Sequence, residues 1–403
     1  MSHFRLVAPA GAPLPVRSVL PAFLEGSNDR RGLGDLQERL GIQHLFLVSS
    51  GRAALTILLQ AMQQRSERRE VVLPAYTCFS VASAVARAGL TIRLCDVDPG
   101  TFDLDLNALV RLDLTKALCI VPSGLYGLPG ELTELELIAR AFGAFLIDDA
   151  AQCLGATKDA RQCGTFGDAG FYSLGRGKGI TTMGGGILVT NQIELAQRIG
   201  EAVRRLPHPS ALDVCTAVGS SLVYSGMLRP SRYWLVDRIP FLSLGGSSFE
   251  PDFAMTQLSA YQRGLAEQVL PLVDSYNKIR RDHADHLRSG LEGCEGIGLP
   301  RGVAGASPVY LRFPILTRDA AHRASLLGRL REAGISASAS YPTAIGDIPD
   351  IARYLAPDQE PCPAARSIAT RILTLPTHPW VTAGDIETMV STIRMARGLG
   401  EAR

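Results

Sequence analysis

Between about residues 45 and 190, short runs that are apolar throughout alternate with longer amphipathic stretches. The short runs are Val71 to Leu73, Leu90 to Leu94, Ala117 to Pro122, Phe145 to Ile147, Gly170 to Ser173 and Ile187 to Thr190. Between them lie Ala53 to Gln63, Ser80 to Ala88 and Leu132 to Phe142, each patterned for a helix with one apolar face. A strand that is apolar on both sides needs cover on both sides, and a mainly parallel sheet flanked by helices supplies it. The pattern predicts an α/β domain.

After residue 190 the rhythm changes. A helix is expected from Gln192 to Arg205, followed by an apolar, Ser- and aromatic-containing stretch from Ala211 to Leu244. That stretch includes Leu222-Val223-Tyr224, Tyr233-Trp234-Leu235-Val236 and Ile239-Pro240-Phe241-Leu242. It reads as a subunit or domain interface, or more sharply as a patch touching a membrane surface or a lipid-like substrate. Pro230, Arg232, Asp237 and Arg238 interrupt it and weigh against insertion. From Met255 a helical pattern continues to about Leu291. A strand at Pro308 to Ile315 and helices at Ala320 to Ala333 and Ala383 to Arg397 complete a smaller α+β domain. The expected organisation is an N-terminal segment (1–40) packing on the small domain, a large α/β domain (41–250) and a small C-terminal domain (251–403).

Composition narrows the function classes. A chain of 403 residues exceeds one core of ordinary size, which agrees with two domains. Its 41 basic and 39 acidic residues give a net charge of +2 without a long single-sign run, so the footprint of a nucleic-acid binder is missing. Eight cysteines stand without CxxC pairs or framework spacing and read as reduced thiols. Met1 to Val16 lacks the layout of a signal peptide, and no run of roughly eighteen apolar residues exists. These features lead us to expect a cytoplasmic enzyme.

Ligands of open α/β sheets bind beyond the carboxyl ends of the strands, so residues there are the first candidates for chemistry. Val48-Ser49-Ser50-Gly51-Arg52 puts small residues before a helix, where free N–H groups and the helix dipole attract an anion. The same Ser-Gly could be a simple helix cap. Phe145-Leu146-Ile147-Asp148-Asp149-Ala150-Ala151-Gln152 ends a strand in carboxylates, which could keep a pyridine nitrogen protonated. No His or Cys cluster accompanies them, so no metal is expected. In Ser173-Leu174-Gly175-Arg176-Gly177-Lys178-Gly179 a lysine stands among glycines, where an amine can be desolvated and attack a carbonyl. A nucleotide P-loop fails there, because Tyr172 and Gly179 break its spacing. Pro74-Ala75-Tyr76-Thr77-Cys78-Phe79 could supply a group stacked on a planar ring.

Together these pieces resemble one family. Asp149-Ala150-Ala151-Gln152, Gly164-Thr165-Phe166-Gly167-Asp168 and Ser173 with Lys178 five residues on are similar to the DegT/DnrJ/EryC1/StrS family of pyridoxal-phosphate (PLP)-dependent sugar aminotransferases, of fold type I. Ser50-Gly51, Pro74-Ala75-Tyr76-Thr77, Asp96-Val97-Asp98-Pro99 and Leu375-Pro376-Thr377-His378-Pro379 extend the likeness over most of the chain. The resemblance implies that Lys178 carries PLP as a Schiff base and that Asp149 holds the pyridine nitrogen. It implies that Gln152 lies near the ring hydroxyl, with Ser173, Ser50, Gly51 and Arg52 at the phosphate. Tyr76 or Cys78 would face the ring. It also implies a homodimer with a shared site, an amino-acid donor and a nucleotide-linked keto-sugar acceptor. The chain departs from the pattern in several places. Arg52 stands where Thr is usual, Cys78 where a stacking aromatic is common, and Gly124 where His often precedes Leu-Tyr-Gly. Met183-Gly184-Gly185-Gly186 lacks the usual acidic residue, and no histidine follows the Tyr341-Pro342 turn. These substrate-side changes leave open other PLP chemistry, such as sugar dehydration or amination of a non-sugar ketone, and a non-catalytic regulatory relative. His283 and His286 read as a solvated helix face shared with Arg280, Arg281, Asp282, Asp285 and Arg288, and His378 as structural.

Overall fold

The computed structural model describes residues 5–24, 31–237 and 248–396. Its centre is a seven-stranded sheet: β1 (His44–Val48), β2 (Glu70–Pro74), β3 (Thr91–Cys95), β4 (Ala117–Ile120), β5 (Phe145–Asp149), β6 (Ala169–Ser173) and β7 (Gly186–Thr190). The spatial order is β1-β7-β6-β5-β4-β2-β3. Parallel ladders join β3, β2, β4, β5 and β6, while β7 runs antiparallel to both its neighbours. Residues of β2, β4 and β5 are almost wholly buried, as a sheet covered on both faces demands. Helices Gly51–Gln63, Phe79–Arg87 and Leu132–Phe142 supply that cover, each following a strand as the amphipathic spacing predicts.

This topology determines where chemistry can collect. β1, β5 and β6 all end on one edge of the sheet, and antiparallel β7 begins on it. Val48 and Ser173 therefore both pair with Gly186, and Asp149 pairs with Phe171 one strand further along. Four loops that are distant in sequence leave from this edge.

The smaller unit carries an antiparallel sheet of Ile297–Gly298, Arg312–Thr317 and Ile372–Pro376. Helices Val273–Leu291, Ala320–Glu332 and Ala383–Met395 pack with it. The strand expected at Pro308 starts only at Arg312, because Tyr310, at φ 47°, takes the chain out of the extended conformation just before it. The single helix expected from Met255 to Leu291 is in fact Ala260–Val269, a 3₁₀ turn at Leu270–Leu272 and Val273–Leu291. Pro271 cannot donate to the helical ladder and divides the two. The N-terminal strand-like segment crosses this unit: Val7 bridges Ile335, and Arg5 grips Asp385 at 2.5 and 2.7 Å.

The apolar stretch from Ala211 forms helices Ala211–Met227 and Pro230–Val236; Ile239 to Leu242 lies outside the described residues. Leu212, Leu222, Val223 and Leu235 stay exposed along it. Among the described residues no helix is long and apolar enough to cross a membrane.

Candidate active site

A cavity of about 240 Å³ opens at the shared strand edge, walled on its far side by the small sheet. Ser50, Gly51, Arg52, Cys78, Asp149, Gln152, Ser173 and Lys178 all line it. Residues separated by more than a hundred positions thus meet in one place.

One end of the cavity is built for an anion. Ser50 caps the helix Gly51–Gln63, its Oγ accepting from the Ala53 N–H at 3.2 Å. The hydroxyl proton and the first helical N–H groups remain to face a ligand. A Cβ built on Gly51 would lie 3.0 Å from Ser173 Cβ, so only glycine lets the helix start approach β6 this closely. Gly186 has the same task toward β1, since a Cβ there would lie 2.4 Å from the Ser50 carbonyl oxygen. The glycine run at 184–186 is thereby explained as close backbone approach. Arg52 is oriented differently from the expectation. Its Nη1 donates to Glu250 at 3.3 Å and its guanidinium lies 4.3 Å over the Phe253 ring, so its side chain is engaged at the rim.

At the other end stands Asp149, and the strand's alternation distinguishes it from its neighbour. Asp148 points away from the cavity and accepts from the N–H groups of Gly164 and Phe166, fastening that turn. Burial pushes its pKa up to about 7. Asp149 faces the cavity, where burial raises its pKa to about 6, opposed by the Ala151 N–H at 3.0 Å, the charge of Lys178 and a bond to Ser123. Ser123 in turn accepts from Thr77 Oγ1 at 2.9 Å, so Asp149 is held by a short hydroxyl relay.

Lys178 sits on the loop between β6 and β7. Its side chain shows part of its surface to the cavity while the amine lies deep within it. Desolvation lowers its pKa, with Cys78 and Asp149 pulling it back up and Arg312 pushing it further down. The loop is anchored from behind by Arg280, whose Nη2 donates to the Gly179 carbonyl at 2.8 Å. Arg280 is fully buried, contrary to the solvated face expected for it, because backbone carbonyls and the Asn277 side chain accept its N–H groups. His283 likewise turns inward to the Thr377 carbonyl at 2.9 Å. His378 is buried, with Nε2 at 2.9 Å from the Ala8 carbonyl and Nδ1 accepting from the Trp380 N–H, a structural role.

Tyr76 does not reach the cavity. Its hydroxyl meets Tyr126 at 3.2 Å and the Tyr341 carbonyl at 3.3 Å, and the residue is wholly buried behind the wall. Cys78, the cap residue of helix Phe79–Arg87, lines the cavity in its stead. Tyr341 adds an aromatic wall, its hydroxyl accepting from Gln152 Nε2 at 3.2 Å. Gln152 Oε1 meanwhile accepts from the Tyr126 N–H at 3.1 Å, which fixes the amide's orientation. The glycine at 124 is matched by its surroundings, for a Cβ there would lie 2.2 Å from Cys153 Sγ. Arg312 and Ser123, both on the wall, escaped the sequence reading: one opens a strand and the other lies in a strand-to-turn run, and neither forms part of a motif. Among the described residues no group of three or more His, Cys, Asp or Glu is arranged to hold a metal ion.

The site can therefore hold a phosphorylated ring between an anion seat and a buried carboxylate, with one amine beside it. The chain is 26% identical over 378 residues to the UDP-N-acetyl-3-dehydro-alpha-D-glucosamine 3-aminotransferase of Acidithiobacillus ferrooxidans, covering 93% of this chain and 89% of that protein. It is 28% identical over 360 residues to the pleiotropic regulatory protein of Geobacillus stearothermophilus, covering 89% and 86%. Its fold superposes on the aminotransferase TlmJ of Streptoalloteichus hindustanus with a TM-score of 0.77 at 22% identity, over 97% of this chain and 99% of that one. The architecture is that of the fold type I PLP-dependent transferases. With residues 22–394 matching, the chain belongs to the DegT/DnrJ/EryC1/StrS aminotransferase family.

Proposed function

We propose that this chain transfers an amino group from an amino acid to a nucleotide-linked keto-sugar, using PLP held on Lys178. The observation that carries the reading is the convergence on one cavity of a desolvated lysine, a buried carboxylate and a helix-start anion seat closed by Ser173. The relative named as a UDP-amino-sugar 3-aminotransferase matches nearly the whole chain and supports the sugar class.

When bound, PLP supplies an aldehyde that condenses with amines and a protonated ring that accepts negative charge. The residues of this chain do the rest. Ser50, Gly51 and Ser173 would hold the phosphate, with the helix dipole favouring its charge. Asp149 would keep the proton on the ring nitrogen; a cationic ring beside it draws its pKa below the raised value that burial alone imposes. Gln152, fixed by Tyr126 and Tyr341, can donate or accept at the ring's hydroxyl side. Lys178 would hold the cofactor through its amine, whose neutral form is favoured by the lowered pKa, and when free would hold and move a proton at its Nζ as general acid and base. Cys78 and Tyr341 would flank the ring. The same reading includes a homodimer with the site at the interface and a cytoplasmic location.

A purely regulatory role would not require the amine, yet Lys178 is retained and desolvated. The test is borohydride reduction of PLP-loaded protein with peptide mapping. The label belongs on Lys178, and amino acids should convert the bound cofactor to its amine form. Lys178→Ala should fix no label there and lose at least about a thousandfold in conversion rate. Fixation elsewhere, or undiminished conversion in the variant, would overturn the assignment.

A further inference from the structure

Behind the cavity, the carboxyl edge of the sheet carries a row of buried polar residues. β5, β4, β2 and β3 are consecutive neighbours, and each contributes one member of the row. Asp149 ends β5, Ser123 follows β4, Thr77 follows β2 and Asp103 follows β3. All four are buried. The Ser123 backbone is fastened on two sides. It bridges Asp149 as a short parallel pairing, and its N–H donates to Asp103 Oδ1 at 3.0 Å. Asp103 is itself held by the Leu104 N–H at 2.8 Å. A Cβ built on Gly130 would lie 2.2 Å from Asp103 Oδ2, so a glycine is what lets this carboxyl sit there.

The direction of the hydrogen bonds gives the row its meaning. Thr77 Oγ1 donates to Ser123 Oγ at 2.9 Å. A hydroxyl has one proton, and Ser123, with its oxygen already accepting, directs that proton to Asp149. A donor to a carboxylate favours the charged form. The groups around Asp149 act in different senses. Lys178, Arg312 and Cys78 line the same cavity, while Asp103 and Asp148 lie buried behind and oppose a further negative charge. Lys178 supports the anion only while its own amine is charged. The bond from Ser123 does not depend on that. We infer that Ser123 is a positioning residue of the reaction: fastened by Asp103 and oriented by Thr77, its hydroxyl keeps Asp149 anionic and aimed into the cavity at the cofactor's ring nitrogen. The part that concerns the ring rests on the PLP reading above; the bond between Ser123 and Asp149 does not.

NMR of the full chain with isotope-labelled aspartate reads Asp149 directly. In PLP-free protein, the carboxyl resonance lost in Asp149→Asn identifies it. Ser123→Ala removes a hydrogen bond to a charged group and should move the midpoint of the Asp149 titration upward by about one pH unit or more. Ser123→Thr returns the hydroxyl and should recover most of that shift. Thr77→Val leaves Ser123 without its orienting donor and should give a smaller shift of the same sign, which decides the matter if Ser123→Ala does not fold. The Asp148 resonance should move far less in each variant, because a general loosening of the strand would move both. In protein loaded with PLP labelled at its ring nitrogen, Ser123→Ala should shift the nitrogen signal toward its unprotonated position, with borohydride still fixing the cofactor on Lys178. An unmoved Asp149 midpoint in Ser123→Ala, or an equal shift in Ser123→Thr, overturns the inference, and so does a ring-nitrogen signal indifferent to Ser123. If the unmutated protein fixes no PLP on Lys178, the PLP reading falls, while the titration in PLP-free protein still decides whether Ser123 holds the charge of Asp149.

Discussion

The cavity has two walls of different origin. The large-domain wall is assembled from strand ends, each with its chemical residue within a few positions of the strand: Ser50 after β1, Asp149 ending β5, Ser173 ending β6. The opposite wall is made by Arg312, the first residue of a small-sheet strand, and Tyr341, from a loop, both beyond residue 300. Under the proposed reading the first wall would serve the chemistry common to every substrate and the second would face what changes from one substrate to the next; Arg312, with an unpartnered Nε, stands on that second wall.

Substitutions should divide along this line. On the large-domain wall, Asp149→Asn removes the anion proposed to hold the ring proton and should cost roughly a hundredfold or more in the half-reaction rate, with PLP still fixed on Lys178. A single-turnover absorbance trace checks this. An undiminished rate would mean that Asp149 does not serve the ring. Next in size, Gly51→Ala pushes a methyl to 3.0 Å from Ser173 Cβ and should weaken PLP binding by about tenfold, read by titrating the cofactor into stripped protein. A wild-type affinity would show that the helix start is not the phosphate seat.

A third effect, on stability and not on the site, lies outside both walls. His378 has its pKa pushed down to about 4 from an ordinary 6.5, mainly by burial. The unfolded chain therefore binds a proton between these values that the folded chain refuses, and stability is lost as pH falls from 6.5 to 4, by up to about 3 kcal/mol. Urea titrations across that window should give a flatter pH slope for His378→Gln than for the unmutated protein. Asp148 and Asp149, whose raised values act with the opposite sign, contribute equally to both proteins and cancel in the difference.

Much of this was readable before folding. Apolar runs with helical spacing between them fixed a covered, mainly parallel sheet, because alternate patterns could not bury both faces. Asp149 and Ser173 were legible because each ends a strand, and Lys178 because it stands among glycines in the loop that follows one. Tyr76 misled, since an aromatic two positions from Cys78 has equal appeal in sequence, and only packing between Tyr126 and Tyr341 sets it behind the wall. Arg280 misled for a similar reason: charged neighbours suggest solvent, but backbone carbonyls of Gly11 and Gly179 can accept an arginine in the interior.

The sequence by itself determined the sheet, the order of the motifs and which lysine stands at the cavity, because these depend on local periodicity and on short-range backbone needs. The tertiary structure decided which of Asp148 and Asp149 faces the cavity, which way Arg52 turns and that Arg312 enters the site at all. Those outcomes depend on contacts beyond the local window, 16 residues away for Asp148 and 198 for Arg52, where nothing in the neighbouring sequence records the partner.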